Sequence, residues 1–178
     1  MGKRYSEISP KLEVFIGEQK LFFVGTAAAE GRINVSPKGL DSLRVLSPNK
    51  VVWLNLTGSG NETAAHLQDN NRMTIMFCAF EGNPMILRLY GNATIFHIDD
   101  KGFDQYIDLF PEVLGSRQII ELNVDLVQTS CGFGVPLMNF KEERTLLDAW
   151  SKKKGPEGIK DYWKEKNSLS IDNTEINY

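Results

Sequence analysis

The chain has 178 residues, enough for a single domain whose core needs no disulfide or metal staple. Its composition, 42% apolar and 24% charged, is that of an ordinary globular protein, and a formal net charge of -3 gives no general pull toward nucleic acid or an anionic membrane. Any anion site therefore has to be built locally, and Cys78 and Cys131, far apart and without CxxC spacing or a histidine cluster, read as reduced thiols in a cytoplasmic protein rather than as a metal site.

The N-terminal stretch MGKRYSEISPKLEVF lacks a continuous apolar h-region, and no apolar run is long enough to span a bilayer, so neither a signal peptide nor a membrane partner is expected. In that compartment the glycosylation-like triplets at Asn55, Asn61 and Asn92 are chance. Ser9-Pro10 predicts a helix start, with Leu12, Phe15 and Ile16 on one face of a helix over 11–19. LFFVGTAA and INVSPKG read as two strands joined at Glu30-Gly31, and LRVL and VVWLNL as another pair joined by SPNK. A glycine loop then enters a short helix over 61–68, RMTIMFCAF is strongly β-rich, and EGNP turns into MILRLYGNATIFH, where Gly91 predicts a bulge. DDKGFDQYIDLF reads as a helix capped by an aspartate, and QIIELNVDLVQTS as a further long strand. Beyond it the pattern predicts a helical extension over 141–167, broken at Gly155-Pro156, and a polar, disordered last dozen residues.

The elements amount to about six or seven strands joined mostly by short turns, which imply antiparallel neighbours because a parallel crossover needs a dozen or more residues. The expected fold is mainly β with peripheral helices: one antiparallel barrel domain over residues 1–178.

Two motifs carry candidate chemistry. LTGSGNETAAHL, Leu56–Leu67, places Gly58, Ser59 and Gly60 before a helix N-terminus, where unpaired amides and a partial positive charge suit a phosphate. It is not a dinucleotide fingerprint: Thr63 stands where the third glycine belongs, the helix is too short, and βαβ alternation is absent, although Glu81 does follow the next strand. Nor is it a P-loop, since GK[ST] is missing. The alternative is that Asn61 simply caps the helix, with Glu62 favoured by the dipole. In NVSPKG, Asn34–Gly39, Lys38 is either a cation for that phosphate or a solvated turn lysine.

VSPKG, NLTGSGNETAAHL, RMTIMFCAF and LRLYG, taken together over Lys20–His97, resemble the pyridoxamine 5'-phosphate oxidase-like, FMN-binding split-barrel family. The resemblance implies a six-stranded split barrel that forms a homodimer with FMN in a cleft at the interface. Carried over by position, Ser36, Pro37 and Lys38 end the second strand, with Lys38 facing the phosphate. Leu56 and Thr57 lie beside the flavin ring, with Thr57 able to hydrogen-bond it. Asn61, Glu62 and Thr63 fall where many members carry Ser-Arg-Lys, so two cations are missing, and phosphate neutralisation would rest on Lys38, the helix terminus, and Arg88 or Arg32. His66 can reach a flavin edge or the other subunit, with a surface or capping role as the alternative; His97 reads as structural.

The arginine-rich C-terminal signature of the true oxidases is absent, so a vitamin B6 phosphate is not the expected substrate. CGFGVP, Cys131–Pro136, is either a rigid loop docking the C-terminal helices or a lid with Phe133 near the ring. The expectation is an FMN-dependent oxidoreductase acting on a small molecule, with no catalytic base or metal site evident. The alternatives are a non-catalytic flavin-binding or sensing protein and a split barrel that binds a deazaflavin or haem.

Overall fold

A computed structural model describes residues 2–177. The strands are β1 (Lys3–Tyr5), β2 (Phe22–Thr26), β3 (Asn34–Lys38), β4 (Leu43–Ser47), β5 (Lys50–Leu56), β6 (Arg72–Cys78), β7 (Ile86–His97) and β8 (Ser116–Ser130). The helices are α1 (Pro10–Glu18), α2 (Glu62–Asp69), α3 (Lys101–Ile107) and α4 (Leu146–Lys166). Every strand pairing is antiparallel, in the order β3-β2-β6-β7-β8-β5-β4, with β1 added beside β8. The sheet thus has eight strands rather than six, and it is not closed: β3 and β4 are edges on either side of a split. β1 is three exposed residues without apolar alternation, which is why nothing in its sequence announces it.

The sheet curls because its strands bury one face together. Val24, Ile75, Leu89 and Val127 are cross-strand neighbours on that face and have no exposed surface. Phe22 and Phe77 extend the row toward α1, whose Leu12, Phe15 and Ile16 plug that end of the barrel. In β5 the uninterrupted apolar run is explained by burial on both sides. Val51 and Trp53 join the barrel core, while Val52 and Leu54 pack with Phe103, Tyr106 and Phe110 at α3. Such runs mark strands covered on both faces.

Gly91 sits at the bulge expected of it, where the β7–β8 register shifts between Tyr90 and Gly91. The turn from β3 into β4 places Leu40 and Asp41 at positive φ, and Arg44 clamps it by donating to both Asp41 carboxylate oxygens at 2.7 and 2.9 Å. The C-terminal helix begins at Leu146 rather than 141, after an irregular stretch, and it kinks at Gly155 with φ 69° just before Pro156, as the Gly-Pro pair predicts. The polar tail is ordered, contrary to expectation. A turn at 170–174 brings Leu169 and Glu175 together, with Asn173 in the left-handed region, and Ile176 packs on Ala64 and Ala65 of α2.

Candidate anion cleft

The edge strand β3 alternates as a half-buried strand should: Asn34, Ser36 and Lys38 turn inward, and Val35 and Pro37 face out. The three inward residues line a cleft of about 510 Å³ together with Asn55 of β5, the Gly58–Gly60 loop, and Asn61, Glu62 and Thr63 at the start of α2. Arg117 of β8 and Lys166 at the end of α4 complete its cationic lining. The glycine loop and the lysine strand, far apart in sequence, therefore meet at one place.

Lys38 Nζ lies 4.9 Å from the centre of the Trp53 ring, a cation–π contact that reaches across the barrel interior. Burial, and secondarily the Arg117 guanidinium, lower its pKa to about 8. No carboxylate lies within ion-pair distance of Lys38 among the described residues. A half-buried ammonium whose surroundings disfavour its charge would be stabilised by a nearby anion.

The polar side chains point the same way. Asn61 stands at the N-cap position of α2, yet its side chain makes no capping bond. Its Oδ1 instead lies 3.4 Å from the Asn55 amide nitrogen, which also donates to Gln118 Oε1 at 2.8 Å. That arrangement leaves Asn61 Nδ2 buried without a partner, as is Ser36 Oγ. Buried donors are normally satisfied, and these two line the same cleft as Lys38. Thr63 Oγ1 is a weak acceptor for Asn34 Nδ2 at 3.4 Å.

Arg117 escaped the sequence reading because it precedes the apolar run from which the strand was recognised. It is only 3% exposed and donates to Asn167 Oδ1 at 2.6 Å and Gly60 O at 3.2 Å. Its signal is a charged residue one position before a fully buried stretch, on a strand paired with the one that ends at Leu56.

Other expected site residues lie elsewhere. Pro37 faces outward, and Leu56 packs against the cluster under α3. Thr57 is not free for a ring: its Oγ1 donates to Gly115 O at 2.7 Å and accepts from Trp163 Nε1 at 2.8 Å. His66 is buried against Thr26, with 3.0 Å between Nδ1 and Oγ1. Arg88 pairs across the sheet with Met76 and Gln128, one position out of step with the inward row, and donates to Ser130 Oγ. Arg32 forms an ion pair with Asp172. Glu62 does line the cleft, but both its oxygens accept from Ile171 N at 3.1 Å. Phe133 is 82% exposed, and Cys131–Pro136 contributes nothing to the cleft lining.

A family profile for pyridoxamine 5'-phosphate oxidase matches residues 8–131, and the chain belongs to that family. Its sequence is 44% identical over 140 residues to pyridoxamine 5'-phosphate oxidase family protein ustO of Aspergillus flavus, an alignment covering 76% of this chain and 56% of the relative. The matched region thus spans little more than half the relative's length. Among solved structures, HupZ of Group A Streptococcus superposes with a TM-score of 0.53 at 19% identity, covering 67% of this chain and 91% of HupZ. HutZ, the haem storage protein from Vibrio cholerae, superposes with a TM-score of 0.50 at 21% identity, covering 67% of this chain and 92% of HutZ. At these identities the structural likeness concerns the fold alone.

Proposed function

We propose that the cleft binds the phosphate of FMN and that the protein is an FMN-dependent oxidoreductase acting on a small molecule as a homodimer. The observation that carries the reading is the convergence of two buried, unpartnered donors, Ser36 Oγ and Asn61 Nδ2, with the Lys38 ammonium in one cleft at a helix N-terminus. Ser36 and Asn61 would donate to phosphate oxygens, Lys38 would supply charge, and the α2 amides would add the favourable end of the helix dipole. Arg117, held by Gly60 O and Asn167, adds positive potential from behind. When bound, the flavin supplies hydride transfer, and the protein supplies orientation and electrostatics. Because Thr57 is committed to Gly115 and Trp163, ring contacts fall to other groups.

Haem is the weaker reading. Among the described residues, the cleft lining contains no His, Cys, Met or Tyr to serve as an axial ligand. Acid release from the purified protein, followed by mass measurement, tests the proposal: FMN is the expected ligand, and a colourless protein that takes up no added FMN contradicts it. Turnover with NAD(P)H and an electron acceptor then separates an oxidoreductase from a flavin-binding protein without catalysis.

A further inference from the structure

Four successive residues of α2, Thr63 to His66, are buried. Successive helical residues advance by roughly 100°, so four in a row occupy most of the helix circumference, whereas packing on one side buries a stripe. The barrel covers one side, through contacts of α2 with β2 and β7. The other is covered by a strap, residues 167–177, which lies beyond the stretch matched by the family profile.

The strap grips α2 along its length. Ile171 N–H donates to the Glu62 carboxylate at the first turn, Ile176 packs on Ala64 and Ala65, and Gln68 bonds both Glu175 O and Asn177 N at 2.8 and 2.7 Å. At its start, buried Asn167 joins Arg117 to Gly58 O. Farther on, Asp172 accepts from the Arg32 backbone N–H at 2.7 Å and pairs with its guanidinium. Gly31 makes room for that contact, since a Cβ there would stand 2.6 Å from Asp172 Oδ2. The result is that Lys166, Leu169, Ser170 and Ile171 form one wall of the cleft containing Ser36 and Lys38.

We infer that the strap is a built wall of the ligand site and that Glu62 is the positioning residue that latches it there. The inference rests on the anion-site reading above and explains its awkward feature. A carboxylate beside a phosphate site should repel the ligand, but this one is spent on Ile171 N–H, and the segment it holds follows directly on Lys166, a cation at the cleft.

The two roles predict opposite signs. If Glu62 only opposed the anion, removing it would tighten binding; as a latch, its removal weakens binding. Glu62→Ala removes charge and acceptor together, Glu62→Gln keeps an acceptor for Ile171 N–H, and Asp172→Ala releases the strap at another of its anchors while also removing a negative charge. Hydrogen exchange over residues 168–177 in the ligand-free, full-length protein reads the latch; titrations with FMN, and with inorganic phosphate as a second probe, read the site. Both alanine variants are expected to speed strap exchange and weaken either probe by about tenfold, the scale of one hydrogen bond to a charged group. Glu62→Gln is expected to restore protection and bind more tightly than Glu62→Ala. Unchanged strap exchange, or unchanged or tighter binding in the alanine variants, overturns the inference. A wild-type protein that binds phosphate but not FMN sinks the flavin reading, and the phosphate titrations still decide the strap. Binding of neither probe overturns both.

Discussion

Lys38 is where burial and the proposed function pull against each other. Its pKa falls to about 8 on folding because burial and Arg117 disfavour the ammonium, so the unfolded chain holds that proton more tightly. The cost to stability is therefore present below pH 8 and fades as pH rises from there toward the ordinary lysine value. Lys38→Met is predicted to raise stability at pH 7 by on the order of 1–2 kcal/mol while abolishing FMN affinity, measured by denaturant unfolding and flavin titration. For the wild type, FMN affinity should fall as pH rises through about 8, where the free lysine loses its proton. Lys38→Arg is expected to bind with no such fall, and an unchanged wild-type profile between pH 7 and 9.5 would contradict the assignment. Lys38 and Ser36 were legible through the VSPKG motif and the family resemblance it carries, since the motif alone left Lys38 as either a phosphate cation or a solvated turn lysine. Thr57 and Arg88 were not, since a partner from α4 and the choice of sheet face depend on tertiary packing and register.

At the scale of elements, the long strands β7 and β8 are held by devices that the sequence shows only in part. A Cβ at Gly91 would stand 1.9 Å from Asn123 O, a backbone atom that cannot rotate away. Gly91→Ala is therefore predicted to cost about 2–3 kcal/mol, seen as a lower thermal midpoint. Tyr106 fixes α3 to β8 by donating to Glu121 Oε2 at 2.6 Å, and the same carboxylate accepts from Lys50 and Asn123. Burial pushes the Glu121 carboxyl up, but these donors outweigh it and hold it below its ordinary value, while the bond to Glu121 drives the Tyr106 phenol up to about 12. The stabilisation from Glu121 is thus present above the ordinary carboxylate range and is lost as pH falls through its lowered folded value. Tyr106→Phe should cost about 1–2 kcal/mol near neutral pH and less in acid, checked by unfolding at pH 7 and pH 3. Gly91 could be foreseen, because a glycine inside a strand pattern signals a bulge. The Tyr106–Glu121 bond could not, because it joins two elements by their side chains alone.

Over the whole molecule, most of the order of strands and helices was readable from apolar periodicity and turn residues, and the eight-stranded open sheet corrects the count rather than the class. What periodicity could not supply was the course of the C-terminal segment. Its residues are polar and look unstructured one at a time; they are ordered by bonds to α2, Arg32 and Arg117 spread across the chain. The proposed homodimer belongs to the same scale. Ile33 and Val35 lie exposed on the β3 side, and Val35→Asp is predicted to shift the sedimenting species toward monomer if that face joins two copies.

The central claim, that this cleft holds the phosphate of a flavin mononucleotide, is tested most directly by titrating the purified protein with FMN and with riboflavin, which differ only in that phosphate. Wild-type protein is predicted to bind FMN at least a hundredfold more tightly than riboflavin, about 3 kcal/mol, with the difference largely lost in a Lys38→Ala, Ser36→Ala double variant. Equal affinity for the two flavins, or a preference that survives the double variant, would contradict it.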